Sequence, residues 1–208
     1  MGSDHYFSSQ PSTPEKRREV NVVLADRPLT VVTAGGIFSP DGVDKGTAVL
    51  LAEAPAPSAT GNLLDIGCGW GPIALTMALR SPEATVYAVD VNDRSIALTR
   101  DNASRLGLTN VVAGTPDSVD AGVRFSTIWS NPPIRVGKDE LHSLLLAWLP
   151  RLAEGGDAHL VVQKNLGSDS LQRWLAAELP ARFPELAFTV TREATHKTFR
   201  VLRVHRAR

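Results

Sequence analysis

The stretch Leu63-Leu64-Asp65-Ile66-Gly67-Cys68-Gly69-Trp70-Gly71-Pro72 constrains this chain more than any other feature. An apolar strand runs into three alternating glycines, and a proline follows where the first turn of a helix accepts one without losing a hydrogen bond. Glycines let a backbone approach a ligand closely, and a helix N-terminus presents free N–H groups beside it. Nineteen residues beyond Gly71, at the end of the next apolar run, stands Asp90. A carboxylate there can accept hydrogen bonds from both hydroxyls of a ribose.

The rest of the chain alternates in the same sense. Strands are predicted over 62–66, 85–90, 110–113, 125–130, 158–163, 186–191 and 198–205, with helices over 72–80, 93–106, 138–153 and 169–178. Alternation at this spacing predicts βαβ units, and right-handed crossovers fold them into a Rossmann-like, doubly wound α/β sheet, seven-stranded and mostly parallel. Ahead of that core, the β-branched runs 20–24 and 29–33, joined by Ala25-Asp26-Arg27-Pro28, predict an N-terminal β-hairpin extension, and a helix is predicted over 45–54. Residues 8–19, polar and with two prolines, read as a surface arm, and His5-Tyr6-Phe7 before it as an aromatic anchor. The expected organisation is a single domain over 1–208, with arm, hairpin and helix in 1–60 and the core in 61–208.

Charge narrows the partners. Twenty-two Lys and Arg balance twenty-two Asp and Glu, which excludes a chain-wide basic coat. The one cysteine, Cys68, excludes an internal disulfide and a cysteine-cluster zinc site. No apolar run reaches the roughly 20 residues that span a bilayer, and the polar start Met1-Gly2-Ser3-Asp4-His5 does not read as a signal peptide. The expectation is a cytoplasmic protein without membrane or metal, a monomer or weak dimer.

Glycine spacing separates the nucleotide cofactors. The dinucleotide fingerprint needs a glycine at position 72, where this chain has Pro72. The observed Asp-x-Gly-x-Gly-x-Gly, from Asp65 through Gly67 and Gly69 to Gly71, resembles motif I of the class I S-adenosylmethionine-dependent methyltransferases. That resemblance implies that the loop, with Cys68 in it, lies under the methionine and sulfonium portion of the cofactor. Asp65 would reach the ammonium group, and Asp90, followed by Val91, would hold the ribose. Asp117, after the third core strand, is the candidate acceptor from the adenine amine.

A second signal is Ser130-Asn131-Pro132-Pro133-Ile134, where strand 125–130 empties into an amide and two donor-free peptide units at the carboxyl edge of the sheet. An exocyclic amine is a poor nucleophile because its lone pair is delocalised. The Asn131 side-chain oxygen and the Pro132 carbonyl can accept its protons, favour a pyramidal nitrogen and aim the lone pair at a methyl group. Asn131, Pro132, Pro133 and Ile134 are therefore the candidate catalytic residues, with Asn131 also beside the cofactor.

Phe38-Ser39-Pro40-Asp41-Gly42-Val43-Asp44-Lys45-Gly46-Thr47, the Asp65 loop and residues 130–138 together look like the methyltransferase small domain, and 161–167 and 198–203 continue the likeness. Within that group the chain is similar to the 16S ribosomal RNA guanine-N2 methyltransferases, and most to their single-domain relatives. The resemblance implies a ribosomal RNA or small-subunit substrate, and a 38–47 segment that closes over the cofactor with Gly46 and Thr47 near its carboxylate. Two departures stand out. The best-known members carry two tandem halves where 208 residues leave room for one, and Ile134 stands where many Asn-Pro-Pro enzymes carry a stacking aromatic. A protein glutamine amide, a DNA adenine amine and a catalytically silent RNA-binding domain remain alternatives.

For phosphate contact, Arg135 and Lys138 follow the Asn-Pro-Pro turn. From Arg192 to Arg208 six basic residues face one acid, Glu193, which suits a phosphate-facing edge. Trp70 is either a wall of the cofactor pocket or a packing residue.

Overall fold

The computed structural model describes residues 15–208; the predicted anchor His5-Tyr6-Phe7 and residues 8–14 of the predicted arm lie outside the described residues. The expected arm ends earlier than residue 19. Strand β1 (Arg17–Leu24) already starts at Arg17 and pairs antiparallel with β2 (Arg27–Ala34). The hairpin turn is two residues rather than four. Ala25 and Asp26 take positive φ angles of 49° and 61°, the pairing that matches the twist of the flanking strands. Pro28 sits inside β2, opposite Val23, which a strand with a free edge tolerates.

The main body follows as α1 (Lys45–Glu53), β3 (Thr60–Ile66), α2 (Pro72–Arg80), β4 (Glu83–Val89), α3 (Asp93–Arg105), β5 (Val111–Gly114) and β6 (Phe125–Ser130), then α4 (Lys138–Trp148), β7 (Leu152–Gln163), α5 (Ser168–Arg182), β8 (Phe188–His196) and β9 (Phe199–Arg206). Seven of these strands form one sheet in the order β5-β4-β3-β6-β7-β9-β8. The first five run parallel, and β9 pairs antiparallel with both β7 and β8. The doubly wound, mostly parallel reading therefore holds.

Side-chain alternation divides the core between the two faces. Leu64, Ile66, Ile128 and Leu160 pack under Leu145 of α4 and Leu175 of α5. Leu63, Val86, Trp129 and Val161 pack under Leu50 of α1 and Ile73 and Met77 of α2.

Several boundaries differ from expectation for local reasons. Helix α4 stops at Trp148 because Pro150 follows, in a short 3-10 turn over Leu149–Arg151. Strand β7 begins at Leu152 although Gly155-Gly156 reads as a turn. Helix α5 runs past residue 178 to Arg182, carrying Pro180 in its last turn, and β8 accordingly starts later and extends to His196.

Register places the working edge. Ile66 pairs with both Val89 and Ser130, and Val89 pairs with Gly114. The next residues, Gly67, Asp90, Thr115 and Asn131, consequently leave the sheet side by side. Strand order reverses between β3 and β6, the switch point where ligands of such sheets bind. Ser130 pairs with Leu160, so β7 rises beyond β6 to Gln163, which pairs with Phe199.

The hairpin is fastened to this body by one buried amide. Asn102 of α3 accepts from the Val32 N–H (2.7 Å) and donates to the Val32 carbonyl and the Trp70 carbonyl (both 2.9 Å), standing in for a missing strand partner. Around it Leu24, Val31, Ile37, Trp70 and Leu98 form a separate apolar cluster. Trp70 is thus a packing residue. Replacing Asn102 by Ala should cost about 2–4 kcal/mol in urea unfolding, since it strands the buried Val32 N–H, while Asn21→Ala on the exposed hairpin surface should change stability by less than about 0.5 kcal/mol.

Candidate active site

The glycine turn is held from below and from the side. Gly67 and Cys68 both donate to the Val89 carbonyl (2.8 and 3.0 Å), and Gly69 donates to Asp90 Oδ2 (2.9 Å). Asp90 Oδ1 accepts from the Asn92 N–H at 2.9 Å. The Val91 N–H and the Ser95 side chain also donate to this carboxylate. Burial raises its pKa, against the lowering effect of these backbone donors.

The three glycines do different work. A Cβ at Gly67 or Gly69 would meet nothing within 4 Å, whereas one at Gly71 would lie 3.1 Å from Thr99 Oγ1 and 3.3 Å from Leu75. The first two border open space. Gly71 has φ 100° as the N-cap of α2 and packs against α3. The Cys68 side chain is buried in the α2-side cluster, 3.5 Å from Thr99 Oγ1, while the residue borders the same cleft as Gly67 and Gly69.

Asp65 lies wholly buried beneath the turn. Gly71 gives α2 no side-chain cap, and Asp65 Oδ2 takes that part by accepting from the N–H of Ala74, the helix's third residue, at 3.0 Å. Its Oδ1 has no partner among the described residues. Burial pushes the carboxyl well above the usual range, and the nearby Asp90 adds to the effect.

The opposite wall comes from the segment between β2 and α1. Asn92 Nδ2 donates to the Gly36 carbonyl (3.1 Å), Arg94 to the Gly35 carbonyl (2.5 Å) and Trp70 Nε1 to the Ser39 carbonyl (3.2 Å). The segment so pinned ends in Asp44, the N-cap of α1. Asp44 Oδ2 accepts from the N–H groups of Gly46 (2.8 Å) and Thr47 (3.4 Å), and also from Asn131 Nδ2 at 3.0 Å. Asn131 Nδ2 lies 3.1 Å from Thr47 Oγ1 as well. A carboxylate only accepts, so the Asn131 amide nitrogen must face Asp44, which leaves Oδ1 as the end of the amide without a partner among the described residues. Sequence reasoning gave Asp44 no role; an Asp two residues before a Gly-Thr at a helix start was the available signal.

The N–H groups of Gly46 and Thr47 are thus spent on Asp44. A Cβ at Gly46 would come within 3.1 Å of the Phe199 ring and 3.3 Å of Asn131 Nδ2, so glycine allows α1 to approach β9 and the Asn131 turn. The Pro132 carbonyl already accepts from the Ile134 N–H at 2.8 Å and keeps one lone pair. Ile134 packs half-buried on the α4-side core rather than standing free as a clamp. Phe38, 49% exposed, borders the same cleft as Gly67, Gly69 and Asn131.

The remaining candidates are peripheral. Asp117 is exposed in the 3-10 turn after β5, and Val91 is exposed beside Asp90. Lys138 is exposed at the start of α4. Arg135 belongs to the 3-10 turn over Ile134–Val136, and its side chain lies outside the described residues. No group of three potential metal ligands occurs among the described residues, and no helix there is long and apolar enough to cross a membrane.

The basic C-terminal edge does not survive as a free surface. Arg192 pairs with Asp169 (2.7 Å), Arg203 with Asp157 (2.6 Å) and Arg206 with Glu154 (3.7 Å), while Arg200 is buried and donates to backbone carbonyls. Strand β9 also runs away from the working edge, so Arg203 and Arg206 lie toward its far side.

A sheet of this order, with a glycine turn and an Asn-Pro-Pro turn meeting at its switch point, is the class I methyltransferase fold. Residues 28–202 match the methyltransferase small domain model, and the chain belongs to that family. It is 34% identical over 171 residues to YbxB of Bacillus subtilis, covering 81% of this chain and 85% of that one. It is 37% identical over 155 residues to ribosomal RNA small subunit methyltransferase C of Pseudomonas syringae pv. syringae, covering 72% of this chain and 46% of the relative. Against the methyltransferase C relatives the chain thus spans about half of their length. Among solved structures, the Thermus thermophilus 16S rRNA N2 G1207 methyltransferase (RsmC), in complex with AdoMet and guanosine, matches with a TM-score of 0.73 at 22% identity, over 94% of this chain and 52% of that one.

The raised pKa of Asp65 has a consequence for stability. A carboxyl that binds its proton more tightly in the folded state destabilises the fold progressively as pH rises from the ordinary carboxylate value, about 4, through its folded pKa. Asp65→Asn keeps the acceptor for Ala74 and removes this cost. The unfolding free energy of Asp65→Asn minus that of the parent should therefore grow from pH 4 upward; a difference flat with pH would contradict the assignment.

Proposed function

We propose that the chain transfers the methyl group of S-adenosylmethionine to the exocyclic N2 amine of a guanine in 16S ribosomal RNA, as one methyltransferase domain. The observation that carries the reading is the fixed amide of Asn131, held through Nδ2 by Asp44 and Thr47 in a cleft that Gly67 and Gly69 also line. The open Cβ positions of those glycines and the unpartnered Oδ1 of Asp65 fit the cofactor. When bound, S-adenosylmethionine supplies an electrophilic methyl on a sulfonium centre.

The chain's own residues do the rest. Gly67 and Gly69 leave room for the methionine portion, Asp65 Oδ1 faces its ammonium group, directly or through water, and Asp90 receives the ribose hydroxyls. Asp117, exposed in the 3-10 turn after β5, is the acceptor for the adenine amine. Asn131 Oδ1 and the second lone pair of the Pro132 carbonyl accept the two protons of the target amine. That favours a pyramidal nitrogen whose lone pair points at the methyl carbon, and the amine attacks without prior deprotonation; the surplus proton leaves afterwards. Pro133 keeps the turn rigid, and Phe38 offers the exposed ring that position 134 lacks. The names of the methyltransferase C relatives support ribosomal RNA as substrate, which also makes the cytoplasm the working compartment.

The test is transfer of radiolabelled methyl to ribosomal subunits, naked ribosomal RNA, transfer RNA, DNA and protein extract. Label should enter ribosomal RNA and be recovered as N2-methylguanosine; label confined to protein, recovered as methylglutamine, would overturn the reading. Asn131→Ala should slow transfer by at least about 100-fold with cofactor affinity nearly unchanged. Gly69→Ala should do the reverse at limiting cofactor, weakening cofactor binding by about tenfold or more in calorimetric titration, because its methyl enters the open space above the turn.

A further inference from the structure

We infer that RNA phosphates dock on a lysine lip formed by Lys45, Lys164 and Lys197, and not on the arginines of the C-terminal strand; this rests on the RNA reading above. All three lysines are exposed, and none takes part in an ion pair among the described residues. They come from distant parts of the chain yet share one rim. Lys164 directly follows β7, the strand that rises past Asn131, and its N–H donates to the Thr198 carbonyl at 2.6 Å. Thr198 and Lys197 form the two-residue turn between β8 and β9. Phe199, the next residue, packs against Gly46, which Lys45 precedes. His196 Nδ1 lies 3.2 Å from Glu53 Oε1, tying the same turn to the far end of α1.

Three like charges on one rim repel one another, and no carboxylate among the described residues lies within 4 Å of any of them. The arginines nearby are treated differently, since Arg192, Arg203 and Arg206 each have a carboxylate. The other half of the working edge is acidic. Beyond β4 and β5 stand Asp90, Asp93 and Asp117, the last two exposed. The cleft therefore has a polarity: acids on the side proposed for the cofactor, free lysines on the side past Asn131. At a strand spacing of about 4.8 Å, the β8–β9 turn lies roughly 10–15 Å from β6, the reach of two or three nucleotides of a strand whose base enters the cleft. Lys138 extends the rim on the far side of Asn131, with Asp139 and Glu140 following it, so it adds less net charge.

The experiment measures fluorescence anisotropy of a short labelled single-stranded RNA of mixed sequence as salt is raised. It compares the parent, the triple variant Lys45→Gln/Lys164→Gln/Lys197→Gln, and two controls, Lys16→Gln and Arg192→Gln, with unfolding temperatures checked for each. The triple variant should bind about tenfold or more weakly at low salt, and its log–log salt slope should be shallower by about 2, from about 0.7 per phosphate contact on single strands. The controls should follow the parent. A triple variant with the parent's slope, or loss of binding in Arg192→Gln instead, overturns the lip even if the parent methylates RNA. Poly-glutamate competing as well as RNA also overturns it, in favour of an acidic protein partner. Methyl label found only in protein would instead strike the functional reading, and the binding series reports on the lip independently.

Discussion

One carboxylate oxygen joins the parts of this molecule that do chemistry. Asp44 Oδ2 closes the first turn of α1 through Gly46 and Thr47 and holds the amide nitrogen of Asn131 at 3.0 Å. Because a carboxylate cannot donate, this contact fixes which end of the Asn131 amide is left without a partner among the described residues. Asp44 in turn owes its place to the segment after the hairpin, pinned by Asn92, Arg94 and Trp70. The N-terminal extension is thus part of the site. Its cluster around Trp70 and its Asn102 fastening transmit the position of the glycine turn to the wall that carries Asp44.

Electrostatics divide the cleft in a way that suits two dissimilar ligands. Under the glycine turn lie two carboxyls, Asp65 and Asp90, both with pKa raised by burial, and for Asp65 also by the nearby Asp90, against the lowering effect of the backbone N–H groups they accept from. A cationic group would relieve this arrangement, as a sulfonium or ammonium would. Past Asn131 the free charge changes sign, and the lysines there have no internal use. Between the two regions stands a neutral amide. That is economical for a reaction in which a neutral amine attacks a cation, since a strong base is not required before the bond forms.

Much of the fold was legible because period and punctuation agree along the core. The strand–glycine–proline–helix signature at 62–80, the alternation through 130 and the Asn-Pro-Pro turn each appear where the local chemistry predicts. The deviations arise where one signal masked another. Gly155-Gly156 conceals the start of β7, which pairing with β6 and β9 nonetheless extends, and α5 runs beyond its expected end at 178 to Arg182, with Leu179 buried. In the site, the meeting of Asp65, Asp90 and Asn131 at one edge was readable from type and spacing. The packing of Cys68, Gly71, Gly46 and Ile134 was not, because a motif names neighbours without telling which side chains face the core. The C-terminal arginines misled for the same reason: their partners, Asp157, Glu154 and Asp169, are remote in sequence.

The dependence of Asn131 on Asp44 is tested most directly by a double-mutant cycle in turnover, at saturating cofactor and RNA, on Asp44→Ala, Asn131→Ala and the two combined. If Asp44 acts by orienting the amide, the combined variant should be no slower than Asn131→Ala alone. Losses that multiply, with Asp44→Ala slowing the chain equally whether or not the amide is present, would contradict the account.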